Sequence, residues 1–296
     1  GLDLSKPDGQ AVLLRLLEKA DVVIENFKPG TMEVWGLGYE EGIKGKFPRL
    51  IHCRVSGFGS DGPWGGHPGY DAIIQAMAGW FSINGEAGSN PTRLGLAMVD
   101  MGTGLYSAVA ILIAMAEREK SQQGQYLDMT LYDCAVSLMH PHIPNYLYSG
   151  EVPVATGNAH PNISPYDTFR TKTVDIFVGA GNNRAYAKMC VELGRQELIS
   201  DARFVNNIDR VTNRDELKAE IESSLMKIDG SDIADRLAKA GLAAGAIHDT
   251  AQVVDHAHTK HREMVIEDGS VLREEAAKTW SQAKKEGLEP EFKKWR

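Results

Sequence analysis

Apolar positions along the chain recur at helical spacing in some stretches and as short unbroken runs in others. Val12, Leu13, Leu16 and Leu17 follow Pro7-Asp8-Gly9 and predict a helix to Lys19. Before it, Gly1 to Leu4 reads as the middle of a strand. The run Ala20–Glu25 reads as a short buried strand ending in Asn26-Phe27-Lys28-Pro29-Gly30. Met32, Val34, Trp35 and Leu37 mark a second helical segment, and Leu50 to Val55 a second strand ending in Ser56-Gly57-Phe58-Gly59. Tyr70-Asp71 opens another helix, Gln125–Leu131 is a third strand, and Tyr132–Leu147 an apolar helix. Helices alternating with apolar strands predict an α/β fold with a parallel sheet. Ligands bind such sheets beyond the carboxyl ends of the strands, where the glycine- and proline-rich loops fall here.

The stretch Pro91–Ser121 stands out within this pattern. Asp100 lies between Val99 and Met101, Gly102 and Gly104 follow, and an apolar run from Leu105 to Ala116 ends in Glu117-Arg118-Glu119-Lys120. This predicts a helix capped by Asp100 and buried almost all round. A glycine inside a helix costs about 1 kcal/mol against alanine, so two of them beside one carboxylate point to a close approach of something to the backbone. The helix start favours the ionised carboxylate by about 1 kcal/mol. A capping aspartate with glycines admitted for packing fits the same pattern.

From Gly150 to Pro165 the chain shows little periodicity, which suggests a boundary between domains. Beyond it, Asp175–Val178 reads as a strand and Gly179-Ala180-Gly181-Asn182-Asn183 as a glycine-rich turn. Helices are expected near Arg184–Leu193, Arg214–Lys227 and Ser231–Ala240, then a strand at Ala243–Ile247 and a short helix at Thr250. The expected organisation is a large domain over 1–150, a linker over 151–167, a small α/β domain over 168–265 and a charged helical tail over 266–296.

Composition narrows the function. The 296 residues are 43 % hydrophobic and 24 % charged, as in an ordinary globular protein. A net charge of −8 argues against nucleic acid as a partner, while leaving room for a local basic pocket for a phosphorylated cofactor. The three cysteines lack metal-ligand spacing and read as reduced thiols, which points to the cytoplasm; a mitochondrial matrix fits the same reading. No apolar run reads as long enough to span a bilayer, so no membrane partner is expected. His140-Pro141-His142 offers no third ligand nearby, so no metal is expected. Gly57-Phe58-Gly59 is not a dinucleotide fingerprint.

Several motifs occur together in a fixed order: DVVIENFKPG (21–30), GLGYE (36–40), SGFGSDGPWGGHPGYD (56–71), LAMVDMGTGLYSA (96–108), GNAHPNISPYDTFRT (157–171), VGAGNNR (178–184) and NRDELKAEIE (213–222). As an ordered set over about residues 2–265, they resemble the class III CoA-transferases, the CaiB/BaiF family. GAGNN and the NRDEL stretch are most similar to the branch that uses succinyl-CoA and dicarboxylic acids. The resemblance implies a Rossmann-like large domain, a smaller α/β domain and interlocked homodimers. It implies transfer of CoA from an acyl-CoA to a free carboxylic acid, with CoA as substrate and no tightly bound cofactor. Gly95, Asp100 and Gly104 match the family's G-x-x-x-x-D-x-x-x-G pattern, which makes Asp100 the nucleophile through aspartyl-anhydride and aspartyl-CoA thioester intermediates.

The same resemblance sets Asn26, Phe27 and Trp35 against CoA, Tyr70 and Asp71 near the thioester, and Gly179, Ala180, Gly181 and Asn182 in a loop over the reacting groups. Each has a plainer reading: Phe27 as core, Tyr70-Asp71 as a helix start, the glycine loop as a tight turn. Arg93 and Arg184 are candidates for holding an acceptor carboxylate, or ordinary surface arginines. The family's chain opens with a further strand, helix and strand before the DLSKPDG segment and returns to the large domain after its HREMV-like segment; those parts are not found here, and an exposed sheet edge would need another chain to cover it. Two rival functions are an acyl-CoA racemase, whose branch has a His where Tyr70 stands, and a truncated, non-catalytic CoA-binding protein.

Overall fold

The computed structural model describes residues 1–265. The tail expected over 266–296 lies outside them. The described residues divide into two compact units: Gly1–Asp167 with Asn207–Thr212, and Thr168–Asn206 with 213–265.

The first unit is built on a three-stranded sheet in the order β1 (Val22–Glu25), β2 (Ile51–Ser56), β3 (Tyr126–Thr130). Both pairings are parallel, with Ile24 opposite Cys53 and Ser56 opposite Thr130. β2 is the central strand, and Ile51, His52, Cys53 and Arg54 are all buried, as expected for a strand covered on both faces. One apolar cluster gathers Leu17, Met32, Leu37, Ile43 and Leu50; another gathers Ile74, Val99, Leu131 and Ala135. Residues 1–4 form no strand.

The central helix, Met98–Ser121, runs across the unit and packs on β2, β3, Asp71–Met77 and Leu131–Ser137. Its last turn is tied down by Arg118, which is buried and donates to Asp21 Oδ1 (2.9 Å) and to the Arg49 carbonyl (3.1 Å). Two expectations fail for this helix. It is not buried all round: Val99, Gly102, Thr103, Ser107, Ala114 and Arg118 face the unit, while Leu105 is 71 % exposed and Leu112 64 %. The three-stranded sheet is wide enough to cover one face only. The helix also has 24 residues and a mean hydropathy of 1.6 over its most apolar stretch, so by length and composition alone it is long and apolar enough to cross a membrane. The predicted helix Tyr132–Leu147 is two helices, Leu131–Ser137 and His142–Ser149. Pro141 lies between them and lacks the N–H that a continuous helix would need.

The second unit has a sheet in the order β4 (Tyr166–Phe169), β5 (Ile176–Gly179), β6 (Ala243–Ala246), with β5 and β6 antiparallel. Helices Asn183–Glu192, Arg214–Leu225 and Gly230–Lys239 enclose Phe169, Val178, Tyr186, Leu217, Ile221 and Ile233. β4 begins inside the stretch read as a linker, and helix Asn207–Thr212 was not legible from periodicity. Arg210 on that helix is wholly buried and donates to the Ser164 carbonyl (2.8 Å), grouping the helix with the first unit.

Candidate active site

A cleft of about 750 Å³ opens at the carboxyl ends of β1 and β2. Its walls are the loop Asn26–Pro29, the strand end Val55–Gly57, the segment His67–Ala72, and Arg93, Ala97, Asp100, Thr103 and Gly104. Asn26, Phe27, Tyr70, Asp71 and Asp100 therefore share one cavity. Trp35 does not line it; its ring packs edge-on against Phe27, centroids 5.2 Å apart and planes at 75°. Gly179, Ala180, Gly181 and Asn182 belong to the second unit.

The loop after β1 is held by a buried charge cluster that periodicity does not reveal. Glu25 Oε2 accepts the Phe27 N–H (2.8 Å), while its other oxygen accepts from Arg54 Nε. Arg54 also donates to Glu33 (2.8 Å). Burial pushes the Glu25 carboxyl up, but His52, Arg54 and the Phe27 N–H together hold it below the usual range. Phe27 is thereby positioned by a carboxylate two residues before it.

The start of the central helix differs from the sequence expectation in a way that matters for chemistry. The helix begins at Met98, with Ala97 at its cap, so Asp100 sits inside the first turn. The capping carboxylate is Asp71, which is 8 % exposed and comes from the start of helix Asp71–Met77. Its Oδ2 accepts the N–H of Val99 (2.8 Å) and of Asp100 (3.1 Å). Its Oδ1 accepts from Gln75 Nε2 (2.6 Å). Gln75, with no exposed surface, also donates to the Leu96 carbonyl (3.1 Å) and accepts the Leu94 N–H (3.1 Å). Gln75 escapes a motif reading, although its place four residues after Asp71 sets both on one helix face.

Asp71 is thus spent on the backbone, and Asp100 is left free. Among the described residues no hydrogen bond or ion pair engages the Asp100 carboxylate. Partial desolvation at the cleft, and behind it the Asp71 charge, raises the exposed Asp100 carboxyl above the ordinary aspartate range. This reverses the expectation of a helix start that favours the ionised form. The nearest N–H groups are already taken, and the group that takes them is itself negative.

The two helix glycines divide between packing and access. A Cβ on Gly102 would lie 2.6 Å from Leu138 Cδ1, so Gly102 lets the next helix pack closely. A Cβ on Gly104 would meet nothing within 4 Å, and Gly104 lines the cleft. A second close approach lies on the cleft wall: a Cβ on Gly57 would fall 2.7 Å from Gly69 Cα, and one on Gly69 2.8 Å from Gly57 Cα. Tyr70, beside this contact, is 77 % exposed.

In the second unit, Gly179 ends β5 opposite Ala243, and Ala180 is buried. Asn182 caps the helix Asn183–Glu192 by accepting the Ala185 N–H (2.9 Å). That is the geometry of a tight turn followed by a capped helix.

The cleft therefore combines loops at strand ends, glycine backbone and one carboxylate that, among the described residues, no side chain or backbone group engages. The family model for CoA-transferase family III matches residues 1–284. A succinate–glutarate CoA-transferase of Agrobacterium fabrum is 35 % identical over 274 residues, covering 91 % of this chain and 68 % of that protein. An acetyl-CoA:oxalate CoA-transferase of Acetobacter aceti is 35 % identical, covering 92 % of this chain and 70 % of that protein. The crystal structure of a CaiB/BaiF family protein from Brucella suis superposes with a TM-score of 0.80 at 39 % identity, covering 91 % of this chain and 71 % of that one. The chain belongs to CoA-transferase family III, a family of enzymes that act on CoA thioesters.

Proposed function

We propose that this protein transfers CoA from an acyl-CoA donor, succinyl-CoA or a similar diacid thioester, to a free dicarboxylic acid, with Asp100 as nucleophile. The observation that carries this reading is the unengaged Asp100 carboxylate in the first turn of the central helix, facing a cleft beside Gly104. Asp100 attacks the donor carbonyl and expels CoA thiolate, leaving an acyl–aspartyl anhydride. The thiolate attacks the aspartyl carbonyl and releases the donor acid, giving an aspartyl-CoA thioester. The acceptor carboxylate displaces thiolate from that thioester to form a second anhydride. Thiolate attack on its acceptor carbonyl gives the new acyl-CoA and returns Asp100. Every bond broken is matched by one formed, and no step needs a metal or a redox cofactor.

In this reading Asn26 and Phe27 hold CoA, with Trp35 behind Phe27, and Tyr70 borders the thioester. Asp71 acts through the backbone that it caps rather than by touching CoA. The large domain is Rossmann-like, and the protein works as an interlocked homodimer in a reducing compartment. The exposed apolar face of the central helix supports a covering chain, since Leu105 and Leu112 would otherwise stay in water. Tyr70 favours transfer over racemisation, because a phenol is a poor base for an α-proton near neutral pH.

The test is trapping. Donor thioester with hydroxylamine should leave a hydroxamate on Asp100, found by peptide mass spectrometry, and Asp100→Asn should leave none. α-Deuterium uptake by a 2-methylacyl-CoA without any acceptor acid would favour the racemase instead.

A further inference from the structure

The cleft holds a cation that the transfer chemistry does not use. Arg93 lines it together with Asp100, and among the described residues no carboxylate pairs with its guanidinium. Arg93 is exposed and outside regular secondary structure, but the chain just after it is held. The next residue, Leu94, gives its N–H to Gln75 Oε1 (3.1 Å), and Leu96 gives its carbonyl to Gln75 Nε2 (3.1 Å). Asp71, one helical turn before Gln75 and bonded to it, grips Val99 and Asp100 (2.8 and 3.1 Å). One short helix, Asp71–Met77, therefore holds the arginine segment with its amide and the Asp100 segment with its carboxylate. Both holding side chains are buried.

We propose that Arg93 is a specificity residue that takes the distal carboxylate of a dicarboxylic substrate while the proximal carboxyl reacts at Asp100, and that the Asp71–Gln75 pair fixes the distance between the two. This rests on Asp100 being the nucleophile. A guanidinium matches a carboxylate with two parallel N–H bonds, whereas a monocarboxylic acid offers it only a methyl end. Lys28 is the other flexible cation on the cleft wall, on the loop beside Phe27. It presents a point charge without the planar fork, and it serves as the control.

Two measurements on the full chain test this. Phenylglyoxal labels accessible arginines; succinate should protect Arg93 from it, read by peptide mass spectrometry, while butyrate should not. In steady-state transfer, Arg93→Gln should lower the ratio of kcat/KM for succinate over butyrate by about 10- to 100-fold, the range expected for a hydrogen-bonded charge. Lys28→Gln should leave that ratio within about twofold. Gln75→Met, which keeps the volume and removes the three bonds, should flatten the preference among diacids of different length while both groups remain. Equal protection by both acids, or a succinate-to-butyrate ratio that follows Lys28 instead of Arg93, overturns the proposal. An Asp100→Asn enzyme that still transfers CoA overturns the nucleophile and this inference together. A dead Asp100→Asn with an unchanged ratio in Arg93→Gln overturns this inference alone.

Discussion

Asp71 Oδ2 accepts the backbone N–H of Asp100 at 3.1 Å, so one carboxylate holds the other from behind without touching its side chain. The arrangement couples where Asp100 sits to the charge beside it.

Asp71→Asn keeps an oxygen for the Val99 and Asp100 N–H groups and removes the charge. In the proposed mechanism Asp100 attacks as the carboxylate, so activity should fall as pH drops through its raised pKa. Removing the second cause of that rise should move the acid limb of kcat/KM to lower pH, with partial desolvation still holding it above an ordinary aspartate. An acid limb that stays in place would show that the Asp71 charge does not reach Asp100.

Asp100→Asn and Asp100→Ala should both abolish transfer by several orders of magnitude while melting within a few degrees of the parent. The alanine variant is informative because Asp100 is not the cap, so no capping bond is lost with it. Thermal unfolding and turnover measured side by side check this; a loss of about 1 kcal/mol or more in the alanine variant alone would restore Asp100 to a capping role.

Glu25→Gln should destabilise the protein by about 3 kcal/mol, because it leaves buried Arg54 with Glu33 as its remaining ion-pair partner. The Glu25 carboxyl is held below its ordinary range, so its contribution is fully present above the unfolded pKa and fades as pH falls through the lowered folded value. Urea unfolding of parent and variant should therefore differ at neutral pH and converge in acid.

Gly104→Ala separates folding from function. The position is helical and open, so the protein should gain up to about 1 kcal/mol while the new methyl obstructs the cleft and lowers kcat/KM. Gly102→Ala should gain less, because Leu138 must swing aside from the new methyl, and should have a smaller effect on turnover. Melting temperature against activity for the two variants checks the assignment.

The parallel sheet of the first unit is legible, because β1, β2 and β3 are short stretches rich in apolar residues between helical repeats. So is the neighbourhood of Asp100, since loops at the ends of parallel strands converge in space. What is not legible depends on contacts between distant residues. An aspartate before an apolar run usually is its own cap, and nothing local shows that Asp71 reaches the Asp100 helix from another. Glu25 and Arg54 interrupt an apolar pattern and carry no motif, yet they set the Phe27 loop. The exposed face of the central helix was misread because an apolar residue looks the same in sequence whether this chain or something else covers it.

The Gly57–Gly69 contact has a bearing on how such a site can change over time. A wall made of two backbones pressed together offers no side chain to vary, and neither residue can accept one unless the other moves away. At that contact itself a single substitution cannot create new selectivity for an acid. It must come from residues elsewhere around the cleft, where Tyr70, Arg93 and Ala97 carry side chains and Gly104 has room for one. The cleft is therefore fixed at the paired glycines and open to revision around them.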